Sequence, residues 1–311
     1  MGRVIVGISE RFPGIYAAMA TPLTQDGEID PAGIARVVDY LFANGVTGLS
    51  ILGSTGEGPA LTNAQRQRAL EATLEAANGR GAVFTGAASS VVSEVIAGLR
   101  TSAGSGARGA LVPPPYYYQL GSDAVVGYFE RVAEASPVPL ILYNIPSMTK
   151  IQIPPAAVAR LAAHPNIMGL KDSGGDLGYF ATLAGLVAEQ DGFTLYTGSD
   201  ALLPATLLLG GHGLIGGAVN IVPDVLAALY SAYHAGDTVR AVALAQVVAH
   251  ASAATKVGTF PAPIKAQYAL KGLCEPYTAA PVPPLTEAEM AQLREQLTAV
   301  GILQGTALAG A

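Results

Sequence analysis

Short apolar runs alternate with amphipathic stretches of helical length along most of the chain, and this alternation restricts the fold more than any other feature. The runs are Ile15–Ala20, Gly48–Leu52, Ala82–Thr85, Gly109–Val112, Leu140–Tyr143, Ile167–Leu170, Phe193–Tyr196 and Gly213–Ile215. Among them lie Pro31–Asn44, Ala64–Asn78, Val92–Ala103, Asp123–Ala135, Pro155–Ala163, Leu177–Gln190, Leu202–Leu209 and Asp224–Ala235. Strands that read as continuous apolar runs are buried on both faces, and strand–helix alternation implies parallel pairing. Eight such units predict a closed (β/α)8 TIM barrel. An open doubly wound sheet is the alternative, but its GxGxxG is missing after the first strand, where Ala20-Thr21-Pro22-Leu23 stands.

The last quarter breaks the alternation. It reads as helical from about Asp237 through Ala254, again near Pro263–Lys271, and then, beyond the proline-rich Pro281–Pro284, over Glu287–Ala299. Thr286 is the expected N-cap of that last helix, with Glu287 and Glu289 in the first turn, where the helix dipole favours acids. The 311 residues suit a barrel of ~250 residues with an extension. The expected limits are a barrel over 1–235 and a C-terminal helical extension over 236–311 that packs on the barrel or on a neighbouring subunit.

Charge and cysteine content narrow the partners. Seventeen basic residues against 23 acidic ones leave a net charge of −6, so there is no general pull toward nucleic acid or an anionic membrane. An anionic ligand must be met by a local device. The single cysteine, Cys274, can form neither an internal disulfide nor a CxxC metal clip, which suits a reducing cytoplasm. The apolar run after Arg3 ends at Glu10 and Arg11, too short for a signal peptide. Ala201–Pro223 holds no Asp, Glu, Lys or Arg and is long enough to cross a bilayer of ~30 Å. Pro204, Gly210-Gly211-His212-Gly213 and Gly216-Gly217 interrupt it, so a short helix, a turn and a buried strand are expected instead.

In a barrel of this kind chemistry gathers at the C-terminal ends of the strands. Here the second strand runs into Gly53-Ser54-Thr55-Gly56-Glu57-Gly58, the fifth ends in Tyr143-Asn144 and the sixth in Lys171-Asp172-Ser173. Tyr143 and Lys171 are 28 residues apart, one strand–helix unit, which puts them on adjacent strands. An amine in a desolvated site loses its preference for the charged form, and the free amine attacks carbonyls to give a Schiff base. The alternative for Lys171 is an ion pair with Asp172 or Asp176. Gly53-Ser54-Thr55-Gly56 offers hydroxyls and backbone N–H groups that can receive a carboxylate, or it is simply a tight turn. Glu57 is expected to tie that loop to its neighbours. His164, His212, His234 and His250 show no metal-ligand spacing, and no GxSxG nucleophile is present.

Gly53-Ser54-Thr55-Gly56-Glu57, Tyr143-Asn144-Ile145-Pro146-Ser147, Gly169-Leu170-Lys171-Asp172-Ser173 and Gly210-Gly211-His212-Gly213-Leu214-Ile215 together resemble, in order and spacing, the signatures of the dihydrodipicolinate synthase/N-acetylneuraminate lyase family. The resemblance runs from about Ile15 to the C-terminal helices. It implies a pyruvate-handling class I aldolase on a TIM barrel, assembled as a homotetramer of two dimers, with no cofactor beyond the covalent imine on Lys171. By the same resemblance Tyr143 carries protons, Thr55 is its hydroxyl partner, Ser54 and Thr55 hold the carboxylate of a 2-oxo acid, and Ile215 lines the pyruvate pocket. Tyr117 matches a tyrosine inserted across the dimer interface to complete the proton relay; ordinary loop packing is the alternative.

The resemblance is weaker at the positions that set substrate choice. Lysine-pathway synthases have an arginine where Met148 stands, and Lys150 two residues on is not a bidentate equivalent. Sialic acid lyases carry an acidic pair and a serine where this chain has Asp200-Ala201 and Gly217. The expectation is therefore an aldolase or dehydratase of 2-keto-3-deoxy sugar acids. 4-Hydroxy-tetrahydrodipicolinate synthase (pyruvate with aspartate semialdehyde) and N-acetylneuraminate lyase stand as alternatives. A non-catalytic protein that binds 2-oxo acids or serves in assembly is the alternative from another class.

Overall fold

A computed structural model describes residues 10–299 and 301–303; the apolar run after Arg3 lies outside them. Eight strands, β1 (Gly14–Ala18), β2 (Gly48–Ser50), β3 (Ala82–Gly86), β4 (Gly109–Val112), β5 (Leu140–Asn144), β6 (Ile167–Asp172), β7 (Thr194–Thr197) and β8 (Gly213–Gly216), join in chain order into a closed barrel. The pairing is parallel, as the continuous apolar runs require. Strands β4 and β5 hold no exposed residue at all. The expected strand limits hold to within two residues. The largest useful difference is at β6, which continues through Lys171 and Asp172 and so keeps both inside the ladder.

Helices start where the chain supplies acceptors for their first N–H groups. Asp30 accepts from Gly33 N before Pro31–Ala43, and Asp176 accepts from Gly178 N and Tyr179 N before Leu177–Val187. Thr62 and Gln65 form a capping box at the start of Asn63–Ala77. Thr286 and Glu289 form the same reciprocal pair ahead of Glu287–Ala299. The segment from Ala201 to Pro223 resolves into a helix at Leu203–Leu208, strand β8 and a turn at Ala218–Asn220. Among the described residues no helix is long and apolar enough to cross a membrane. Pro146–Thr149, which the sequence did not mark as helical, forms a single helical turn after β5.

The chain divides into two compact units. One runs over Phe84–Leu214 with the segment up to Pro13. Its core packs Val112, Leu142, Leu170, Phe180 and Leu195 together, and each such side chain contributes about 1.5–3 kcal/mol when fully buried. The other joins Gly14–Val83 to the chain from Ile215 onward. It therefore contains β1, β2 and the helices Thr238–Ala254, Ala262–Leu270 and Glu287–Ala299. Ile15, Val37, Leu49, Leu226 and Ile264 are buried in it.

Candidate active site

In the first unit, Tyr143 on β5 and Lys171 on β6 are register partners. Register partners in neighbouring strands project to the same face of the sheet. The Lys171 Nζ lies 4.4 Å from the centroid of the Tyr143 ring, within cation–π range, and both residues are 5% exposed. The next register pair, Asn144 and Asp172, holds the two strands at this level. Asn144 Nδ2 donates to Asp172 Oδ1 at 2.7 Å, Gly174 N donates to the same oxygen at 3.0 Å, and Asn144 Oδ1 accepts from Ile153 N at 3.0 Å. Ser173 N closes the set by donating to Asn144 O at 2.8 Å.

The carboxylates considered as ion-pair partners of Lys171 are thus engaged elsewhere. Asp172, next in the strand, projects to the opposite face, and Asp176 caps its helix. Burial raises the Asp172 carboxyl above its ordinary range, although the bonds from Asn144 and Gly174 act the other way.

Gly198, just past the end of β7, is a site residue that sequence reading missed. A Cβ there would overlap Ser173 Oγ and lie 2.8 Å from Lys171 Cε, so only glycine leaves room for the lysine stem. Its N–H donates to Asp172 O at 2.6 Å. A glycine directly after a strand, Thr197-Gly198-Ser199, was the available signal.

In the second unit, β2 leads into the loop that carries Ser54 and Thr55. Thr55 is buried and Ser54 half-buried. Two non-glycine residues, Leu52 (φ 58°) and Glu57 (φ 55°), take the left-handed region on either side of the Gly53–Gly56 turn. Such residues cost of order 1–3 kcal/mol each and persist where their surroundings over-determine them. The constraints here are specific. Thr21 Oγ1 donates to Gly56 O at 2.7 Å, Arg66 Nε donates to Gly58 O at 2.8 Å, and Gly58 N donates to Gly53 O at 3.1 Å. A Cβ on Gly58 would overlap the carbonyl oxygen of Leu52. Glu57 is buried and ion-paired with the fully buried Lys265, and its Oε1 accepts from Ala279 N at 2.8 Å. The expected structural role of Glu57 is thus seen, with partners far along the chain. Burial presses the Lys265 amine below its ordinary range while the Glu57 carboxylate acts to keep it charged.

The remaining expected site residues are placed as follows. Ile215 is fully buried on β8, and Gly217 follows that strand directly. Asp200 is buried in the turn Asp200–Leu202 after β7. Met148 is 52% exposed on the turn Pro146–Thr149, and Lys150 Nζ donates to Ser147 O at 2.8 Å, curling back on its own loop. Tyr117 is 87% exposed, with φ 91° and its ring edge-on to Tyr118. His212 has a structural role: its Nδ1 accepts from Leu195 N at 3.0 Å, its backbone N–H donates to Leu195 O at 2.8 Å, and burial lowers its pKa. Among the described residues no group of three or more His, Cys, Asp and Glu is placed to hold a metal.

Comparison with known proteins adds to this geometry. A family model described as the dihydrodipicolinate synthetase family matches residues 11–300. A 4-hydroxy-tetrahydrodipicolinate synthase of Acidiphilium cryptum (strain JF-5) is 36% identical over 292 residues, covering 94% of this chain and 99% of that protein. One of Methanoculleus marisnigri (strain ATCC 35101 / DSM 1498 / JR1) is 32% identical over 288 residues, covering 92% and 98%. Among solved structures, YagE, a prophage protein of the dihydrodipicolinic acid synthase family from E. coli K12 in complex with pyruvate, superposes with a TM-score of 0.90 at 31% identity, covering 94% of this chain and 99% of that one. A dihydrodipicolinate synthase of Thermotoga maritima also reaches 0.90, at 28% identity with 94% and 100% covered.

Proposed function

The chain belongs to the dihydrodipicolinate synthetase family of lysine Schiff-base lyases and aldolases, and from that membership we propose that its imine forms on Lys171 with pyruvate or a longer 2-oxo acid. The observation that carries this reading is the buried Lys171 amine lying over the Tyr143 ring, on adjacent strand ends. The free amine adds to the C2 ketone, and loss of water from the carbinolamine leaves a protonated imine. In the cleavage direction the C3–C4 electron pair moves into the imine to give an enamine. The C4 hydroxyl gives up its proton, its oxygen becomes a carbonyl, and the C4 fragment departs as an aldehyde. Protonation at C3 and hydrolysis then return pyruvate and the amine; condensation is the same sequence reversed. The imine is itself the electron sink, so the scheme uses neither metal nor organic cofactor.

In this scheme Tyr143 relays the protons, with Thr55 as its hydroxyl partner. Ser54 and Thr55 receive the carboxylate, Ile215 lines the pyruvate pocket, and Met148, Asp200 and Gly217 face the distal part of the substrate. Tyr117 completes the relay from a neighbouring subunit of a homotetramer; its 87% exposure in the single chain supports that role. The buried free thiol of Cys274 supports a reducing, cytoplasmic setting.

For the second substrate, the relatives' names support condensation of pyruvate with aspartate semialdehyde. The 2-keto-3-deoxy sugar acid reading, preferred from sequence, rests on Met148 standing where a carboxylate-binding arginine is expected and on Lys150 turning back to Ser147. Borohydride reduction in the presence of pyruvate, followed by mass spectrometry, is expected to leave an adduct on Lys171. Folded protein without that adduct would be a binder only. Assaying condensation onto aspartate semialdehyde beside pyruvate release from 2-keto-3-deoxy acids separates the two substrate readings.

A further inference from the structure

The helix Ala262–Leu270 is buried from Ala262 through Tyr268, yet the side chains it buries include an amine, an amide and a phenol. Each is committed to a strand end of the second unit. The Lys265 amine, besides its ion pair with Glu57, donates to Tyr277 O at 2.7 Å. Tyr268 OH donates to Asn220 Oδ1, and Asn220 Nδ2 donates in turn to Ala18 O at 2.9 Å and Gly217 O at 2.7 Å. With its amide turned so that the nitrogen faces Asn220 O at 3.2 Å, Gln267 donates there and its oxygen accepts from Lys271 Nζ at 2.9 Å, the orientation that satisfies both ends. One helix thus holds the segments that follow β2 and β8 and, through Asn220, the last residue of β1.

Stability alone does not call for this arrangement. A buried ion pair is commonly no more stabilising than apolar side chains of the same volume, whereas removing one partner leaves a buried charge exposed to no solvent and is costly. What the pair does define is geometry. Glu57 sits two residues beyond Thr55, in a left-handed conformation that only firm anchoring maintains, and both of its carboxylate oxygens are held from the C-terminal part of the chain.

We infer that Lys265 is a positioning residue for the reaction: through Glu57 it fixes the Ser54-Thr55 loop in the conformation that receives the substrate carboxylate. The inference rests on the reading that this loop is the carboxylate subsite and deepens it. Lys265 does not touch the reacting atoms, and the effect of its loss falls on substrates that carry a carboxylate.

The test is borohydride trapping at Lys171 over a range of concentrations, with pyruvate and, separately, with hydroxyacetone, a ketone that lacks the carboxylate. In Lys265→Met the half-saturating pyruvate concentration should rise about tenfold or more, as expected for a displaced binding group. Trapping of hydroxyacetone should stay within about twofold of the unaltered protein, since a carbonyl without a carboxylate does not use the displaced group. Lys265→Gln, which keeps a donor for Glu57 and Tyr277 O but not the charge, should fall between. Equal loss with both ketones, no change with either, or failure of both variants to fold would assign the pair to folding alone and overturn the inference. Absence of a pyruvate adduct in the unaltered protein would instead remove the reading of the site, and the inference with it.

Discussion

The two groups of candidate site residues are held in place by different means. Tyr143 and Lys171 owe their proximity to backbone register: neighbouring strands, matched positions, and a second matched pair, Asn144 and Asp172, bonded directly behind them. The Ser54-Thr55 loop has no ladder to rely on, because β2 ends at Ser50. It is fixed by groups that arrive from elsewhere, with the Ala279 backbone N–H standing 222 residues along the chain from the Glu57 carboxylate that it donates to. A register-held group is expected to tolerate the loss of a side-chain bond better than an anchor-held one. In the proposed mechanism the covalent step falls to the Lys171 amine, which the sheet positions locally.

The largest expected effect comes from Lys171→Ala. Turnover should drop to the detection limit and the borohydride adduct should vanish, while far-ultraviolet circular dichroism stays unchanged because the strand keeps its ladder. Near-normal turnover in that variant would end the imine mechanism. Gly198→Ala probes the same group from the backbone side. The added methyl presses on Ser173 and on Lys171 Cε, so kcat should fall about 100-fold as the amine is displaced. Steady-state kinetics within about threefold of the unaltered enzyme would show that the lysine stem has slack there.

The smallest effect should come from Asp172→Asn. Both donors, Asn144 Nδ2 and Gly174 N, use Oδ1, which asparagine retains. Because the carboxyl's folded pKa is raised by burial, its stabilising contribution is complete below the ordinary aspartate range and is lost as pH rises through the raised value. At neutral pH the variant no longer carries that buried charge. Its unfolding temperature should match or exceed that of the unaltered protein by about 2 °C, with the gap closing as pH falls toward 4. A drop of about 5 °C or more at neutral pH would mean that the charge itself holds the strands, and the contrast between the two groups would weaken.

The same contrast explains what was legible in the sequence. The strands were visible because each is built on a short run of mostly apolar or β-branched residues, and Tyr143 could be set beside Lys171 because one strand–helix unit separates them. Helix starts were visible where an acceptor residue precedes them, as at Thr286. The grip of Ala262–Leu270 on the strand ends was not visible, because a salt bridge between distant segments leaves no local periodicity. A lone lysine inside Ala262-Pro263-Ile264-Lys265-Ala266 was the faint signal, and it reads equally well as a solvated helix face. Gly198 escaped for a related reason: what makes it necessary is the volume of side chains brought alongside by other strands, and sequence spacing carries no volume.

The division of the chain into Phe84–Leu214 and a second unit made from both flanks also has a bearing on biosynthesis. On the ribosome the amine and the phenol are made, and their strands can pair, long before the residue that anchors Glu57 emerges. A polypeptide ending before Lys265 would carry the proposed nucleophile, Lys171, but would lack the side chain that pairs with Glu57 beside the proposed carboxylate loop. On the roles proposed for Lys171 and Lys265, competence to capture substrate is deferred until synthesis is nearly complete.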